Sequence, residues 1–190
     1  RPVTLVYPSE LLFRDWYDTY KRHSYNLQLG VTQTLNKRTS IGVFPDFTLQ
    51  QGLLSTPFHR VYFNTDSLAV EQLPEKRIKA SLAIKLNRFV GGNVILKNTL
   101  NTYVDNFAIA GIALENETAF KLRSYLTLMP AARIYYQKGS KYFAAYKMHS
   151  TTEEFYTCDY DLSTFTSFKI GVGLKYNPQK YISKRVIFNG

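Results

Sequence analysis

The chain has 190 residues, with 24 Lys and Arg against 14 Asp and Glu for a formal charge of +10. A mean hydropathy of −0.24 and the lack of any run of eighteen apolar residues exclude a transmembrane helix in this sequence. One Cys excludes an intrachain disulfide within this span, and 15 Tyr with 13 Phe give the aromatic richness that suits strands.

Residues 1–22 carry Pro2, Pro8 and the cluster Trp16-Tyr17-Asp18 without clean alternation, and read as a loop, a short helix or the end of a preceding strand. Between residues 23 and 190 seven stretches place apolar side chains at every second position, which gives each strand one oily and one wet face. In the first, Tyr25, Leu27, Leu29 and Val31 oppose Ser24, Asn26, Gln28, Gly30 and Thr32. The polar turn Asn36-Lys37-Arg38 leads into the second, where Ile41, Val43, Phe47 and Leu49 oppose Ser40, Asp46, Thr48 and Gln50. After a long connection over 52–76, the third sets Ile78, Ala80, Leu82, Ile84 and Leu86 against Arg77, Lys79, Ser81, Lys85 and Asn87. Gly91-Gly92 turns the chain into the fourth, with Val94, Leu96, Leu100 and Val104 against Lys97, Thr99, Asn101 and Asp105. The fifth runs from about Ala108 to Thr118, with Ile112 and Leu114 outward and Glu115 and Glu117 on the other face. The sixth sets Leu126, Leu128, Ala132, Ile134 and Tyr136 against Tyr125, Thr127, Arg133 and Tyr135. A second long connection over 138–163 precedes the seventh, Phe168, Ile170, Val172, Leu174 and Tyr176 against Lys169, Gly171, Gly173 and Lys175. An eighth opens near Lys184, so the span is expected to be part of a larger barrel.

The connections near 36–38, 89–92, 121–124 and 177–183 are short, whereas 52–76 and 138–163 are long. Long strands, alternation and tight turns at one end together predict an all-β fold, an antiparallel transmembrane β-barrel with seven to eight strands in this span. The short turns are then periplasmic and the long loops extracellular. Tyr25, Tyr136 and Tyr176, near ends of oily stripes, suit interfacial girdles. A soluble sandwich or lipocalin-like barrel also alternates, but turns its apolar face toward a compact core and seldom needs strands this long.

Few residues invite chemistry. Adjacent strand residues point to opposite faces, so His23 is poorly placed to activate Ser24, and the pair His149-Ser150 is no stronger a signal. Cys158 beside Asp159 and Asp161 lacks metal-ligand spacing, and Glu153, Glu154, Asp159 and Asp161 read as a solvated loop. No catalytic set, metal or cofactor is expected. Residues 52–63 are different, because Leu53, Leu54, Phe58, Tyr62 and Phe63 around His59 and Arg60 must be buried: the loop either plugs the lumen or docks on a partner. In the other long loop Tyr142, Phe143, Tyr146, Phe155, Tyr156 and Tyr160 offer a docking surface. A cysteine placed at Ser140 is expected to label from outside intact cells. The charge of +10 suggests nucleic acid first. The excess, however, falls on wet strand faces, where Arg77, Lys79, Lys85, Lys97, Arg133, Lys169 and Lys175 would line the lumen, so no nucleic-acid partner is expected.

Several segments carry a resemblance. The runs Arg22-His23-Ser24-Tyr25-Asn26-Leu27, Leu35-Asn36-Lys37-Arg38-Thr39 and Gly52-Leu53-Leu54-Ser55-Thr56-Pro57-Phe58-His59-Arg60-Val61-Tyr62-Phe63 stand in one order with three later ones. Those are Leu73-Pro74-Glu75-Lys76-Arg77, Tyr135-Tyr136-Gln137 and Phe155-Tyr156-Thr157-Cys158-Asp159-Tyr160-Asp161-Leu162-Ser163. Over about residues 20–176 the chain resembles the Bacteroidota outer-membrane β-barrel family catalogued as domain of unknown function 3570. It departs where the family's usual Asp-Asp-Trp-Gly is Asp105-Asn106-Phe107-Ala108 and where Cys158 replaces a commoner Ser. The resemblance implies a barrel longer than this chain and no established activity. The expected role is a non-enzymatic outer-membrane subunit with a plugged lumen, whose loops bind other barrel or surface-lipoprotein subunits. The alternative is a porin-like channel with anion preference.

Overall fold

The computed structural model describes residues 21–56 and 59–177. Ten strands follow in chain order: β1 (Arg22–Gln28), β2 (Val31–Asn36), β3 (Thr39–Gly52), β4 (Arg60–Tyr62), β5 (Leu68–Val70), β6 (Lys76–Val90), β7 (Val94–Asp105), β8 (Ala110–Arg123), β9 (Leu126–Lys138) and β10 (Phe165–Tyr176). Eight of them form one antiparallel sheet in the order β1-β3-β6-β7-β8-β9-β10, with β2 also on β3, while β4 and β5 form a small separate hairpin. Among the described residues no pairing joins β10 to β1 or β2.

β1 and β2 are one strand interrupted once. Gln28 lies opposite Asp46 and Val31 opposite Val43, a single register across the gap. At the break the Leu29 N–H donates to the Pro45 carbonyl at 3.0 Å, and Pro45 has no N–H to return the bond. Pro130 has the same effect in β9, where pairing with β8 lapses between Glu117 opposite Ala131 and Phe120 opposite Leu128. Each proline removes a rung without shifting register, because its neighbours pair on both sides.

The register turns the alternation into two faces. Val31, Val43, Ile84, Leu100, Leu114, Ile134 and Phe168 lie opposite one another in sequence across the sheet. One residue along, Thr32, Gly42, Lys85, Thr99, Glu115, Arg133 and Lys169 form the matching row on the other face. The apolar face is left exposed: Val31 is 68% and Phe168 72% exposed, and Leu27, Phe47, Ile78, Val104, Ile112, Leu114, Ile134 and Val172 are exposed with them. The sheet thus presents to its surroundings the side that a soluble sheet would pack.

The buried core lies in the connections. Leu73, Phe107 and Ile109 form a cluster with Leu54, Tyr103, Tyr142 and Leu162 packed against it, and Val61 and Phe63 are buried nearby. Phe107 and Ile109 belong to the β7–β8 turn, which Asp105 organises by accepting from the Phe107 and Ile109 N–H groups at 2.9 and 3.0 Å. Ala108 in this turn has φ +66°, a left-handed conformation that disfavours a Cβ. Ala108→Gly is therefore expected to stabilise the fold by about 0.5–1 kcal/mol. Urea or thermal unfolding of the two proteins checks this, and a destabilised variant would mean the turn is not strained.

Each of the seven stretches expected from alternation is a strand or strand pair here. The fifth starts at Ala110 rather than Ala108, because the tight turn over 105–109 uses those residues. Tyr125, assigned above to the wet face of the sixth, sits in the β8–β9 turn. The connection over 52–76 is not plain loop but contains the β4–β5 hairpin. The readings for residues 1–20, Phe58 and the strand near Lys184 lie outside the described residues.

Candidate functional site

The two long connections fold onto each other at the end of the sheet opposite the short turns. Three isolated bridges join them or tie the second to itself: Phe63 with His149, Gln72 with Tyr156, and Phe143 with Thr157. Gln72 and Tyr156 exchange both backbone bonds, at 3.2 and 2.8 Å. Aromatic rings fill the seam, with Tyr62 and Tyr146 centroids 5.1 Å apart and Phe63 edge-on to Tyr156 at 4.9 Å. Tyr142 meets Phe107 at 5.2 Å and Phe155 at 5.7 Å, and Phe143 meets Tyr160 at 5.3 Å. All six candidate docking aromatics thus make ring contacts within this cap, which leaves Tyr146 and Tyr160 exposed beside Met148.

Buried polar groups lock the seam. Glu71 is buried and accepts from the Thr56 N–H at 2.5 Å and from the Thr157 hydroxyl. A buried carboxylate needs such donors, since an unsatisfied one costs several kcal/mol. His59 Nδ1 lies 3.7 Å from Glu71 and makes no hydrogen bond. The Arg60 carbonyl accepts from the Cys158 thiol at 3.0 Å, and burial pushes that thiol's pKa up, which keeps it protonated. His149 is fully buried, with Nε2 2.9 Å from the Thr157 carbonyl and Nδ1 2.6 Å from Glu153. Both ring nitrogens are thus engaged, which fixes the imidazole between the Thr157 carbonyl and Glu153.

The His149 contact holds the Glu153 carboxyl below its ordinary pKa of 4.5. A depressed carboxyl contributes stability above that value, and the contribution is lost as pH falls through the lowered one. Amide exchange over residues 149–157, corrected for intrinsic rate, should therefore rise below about pH 4. Glu153→Gln should show faster exchange already at pH 7 and little further acid dependence; an unchanged acid dependence in Glu153→Gln would assign it to another group.

Cap and sheet meet through side chains of the polar face. The Arg77 guanidinium stacks 4.7 Å over Phe107 and binds Asp105 through Nε at 2.8 Å and Nη2 at 2.5 Å. Tyr103 donates to the same carboxylate at 2.8 Å. Gln137 donates to the Asp161 and Ser163 carbonyls at 2.8 and 3.0 Å. The segment holding Leu53, Leu54, His59, Arg60, Tyr62 and Phe63 thus finds its burial against the second long connection and the β7–β8 turn.

The seven basic residues singled out above all fall on the polar face by register. They are not equivalent. Arg77 is paired with Asp105, and Lys97 with Glu117 at 2.6 Å. The Lys85 amine lies 5.0 Å over the Phe44 ring, and Arg133 is 5.9 Å over Tyr135 and directly opposite Glu115. Lys79 lies opposite Asp105, Lys169 opposite Arg133 and Lys175 opposite Thr127.

Sequence reasoning passed over Glu71, Tyr103 and Gln137 as structural partners, since each reaches a residue remote in the chain. Ser140 corrects a labelling expectation: it is buried, with its hydroxyl bound to the Phe107 carbonyl at 3.1 Å. Exposed Glu154 is the better position for a probe. Among the described residues no three His, Cys, Asp or Glu side chains converge as for a metal ion.

The chain belongs to the family described as Protein of unknown function (DUF3570), whose model matches residues 10–186. No curated protein and no solved structure matches it.

Proposed function

We propose that this family member is an integral outer-membrane β-barrel protein, a section of a barrel whose apolar face meets lipid and whose capped polar side serves a larger surface assembly. The carrying observation is the apolar row from Val31 to Phe168, in which Val31, Leu114, Ile134 and Phe168 are exposed. Left in water such a face costs about 25 cal/mol per Å², whereas a bilayer is its natural contact. Tyr25, Tyr136 and Tyr176 stand exposed toward the ends of the stripe, as interfacial residues do.

The cap favours an interaction subunit over an open pore. Its loops are hydrogen-bonded to each other, and they rest on polar-face residues Arg77, Tyr103 and Gln137. Exposed Tyr146, Met148 and Tyr160 leave a surface suited to other barrel or lipoprotein subunits. The engaged ring nitrogens of His149 and the protonated Cys158 thiol suit a structural role rather than catalysis. A second reading, an anion-preferring channel, is favoured by Lys85, Arg133 and Lys169, which share their row with Glu115 as its one acid.

Single-channel conductance of the full-length protein in a planar bilayer separates the two. Electrical silence, with a co-purifying subunit lost on Tyr146→Ala and Tyr160→Ala, supports the interaction subunit. Steady anion-selective current, reduced by Lys85→Glu and Lys169→Glu, replaces it with the channel.

A further inference from the structure

A second feature of the sheet lies away from the cap, at the short-turn end. There a cavity of about 620 Å³ is lined by Lys121, Arg123 and Lys175 together with Asn93, Ser124 and Thr127, and by no Asp or Glu among the described residues. Lys121, Thr127 and Lys175 lie opposite one another on the polar face, across β8, β9 and β10. Arg123 follows a register shift in β8 between Lys121 and Arg123, which falls at the cavity wall. Two backbone bonds brace the wall, from the Lys121 N–H to the Asn93 carbonyl and from the Asn177 N–H to the Tyr125 carbonyl, both at 2.8 Å. Tyr125, in the lining, packs edge-to-face on Tyr176 at 5.8 Å, and the Lys121 amine lies 5.8 Å over the Phe89 ring.

We propose that this cavity binds a soluble phosphate-bearing anion. Three exposed cations share this lining with no acid among the described residues, a positive concavity that attracts a multiply charged anion. Amide and hydroxyl donors from Asn93, Ser124 and Thr127 supplement the ammonium groups and the fork of Arg123, and phosphate oxygens accept from all of these. The volume lies in the usual range of small-ligand sites, about 300–1,000 Å³, and leaves room for an ester beyond the phosphate itself. Because Lys121, Thr127 and Lys175 lie on the polar face and not the apolar one, the site draws its ligand from water rather than from lipid. This site is independent of whether the cap docks a partner.

The test is titration of inorganic pyrophosphate into the full-length protein in detergent, followed calorimetrically at low salt. Wild type and Lys138→Gln, an exposed cation at the cap end of β9 and outside the cavity, should bind saturably and alike. The triple variant Lys121→Gln, Arg123→Gln, Lys175→Gln should bind more weakly by about tenfold or more, with its heat-modifiable mobility intact. Absence of saturable binding, or equal binding in the triple variant, would overturn the proposal. Binding confined to vesicles of anionic phospholipid, with none for pyrophosphate, would overturn it as well by moving the site to lipid.

Discussion

Ile84→Arg is expected to block assembly into the membrane. Ile84 stands in the middle of the apolar row, between Val43 on β3 and Leu100 on β7, so in the proposed membrane barrel a guanidinium there would face hydrocarbon. Such a charge costs about 2–4 kcal/mol near the midplane of a barrel, and Leu114→Arg in the same row should add a similar amount. The matched control is Thr99→Arg, opposite Lys85 on the polar face, which should insert normally. Membrane fractionation and heat-modifiable mobility read the outcome. Normal insertion of both Ile84→Arg and Leu114→Arg would reverse the assignment of faces.

The second large effect belongs to Asp105. Its side chain is 0% exposed and that of its partner Arg77 only 17%. The carboxylate takes five hydrogen bonds, from Arg77 twice, from Tyr103, and from the Phe107 and Ile109 N–H groups. Asp105→Ala leaves the Arg77 charge buried without its partner and the turn without its acceptor, which should cost about 3–5 kcal/mol. Asp105→Asn keeps an acceptor for the turn and should cost less. Replacing both partners, Arg77→Met with Asp105→Leu, should cost less than Asp105→Ala alone, because no orphan charge remains. Urea unfolding gives these values, and amide exchange over residues 139–163 should rise in Asp105→Ala, since the turn carries Phe107 beneath Tyr142. A loss under about 1 kcal/mol in Asp105→Ala would show that solvent replaces the carboxylate there.

What the sequence made legible is what repeats. Period-two alternation needs only a window of ten residues, and it located β3, β6, β7, β9 and β10 with the correct face for Ile84, Lys85, Leu174 and Lys175. The prolines were visible too, yet their effect depends on which neighbour each amide would have met. Pro45 breaks the β1–β2 strand and leaves its β6 pairing with Leu82 in place. The cap was half legible: an aromatic loop has to bury its rings, and residues 52–63 were read so. Its partner was not, because Glu71 and Thr157 stand 86 residues apart and no periodicity links them. Asp105 looked like an ordinary strand-end acid for the same reason. Its neighbour Phe107 is fully buried and lies beneath the Arg77 guanidinium.

The most direct test of the membrane assignment is a spin-label scan along β8, one label at a time at Ile112, Ala113, Leu114, Glu115, Asn116 and Glu117 in protein reconstituted in lipid bilayers. Collision with oxygen, which concentrates in lipid, should peak at 112, 114 and 116. Collision with a water-soluble nickel chelate should be favoured at 113, 115 and 117 wherever the cap admits it. Oxygen maxima at the odd positions, or no alternation along the strand, would contradict a lipid-facing apolar row.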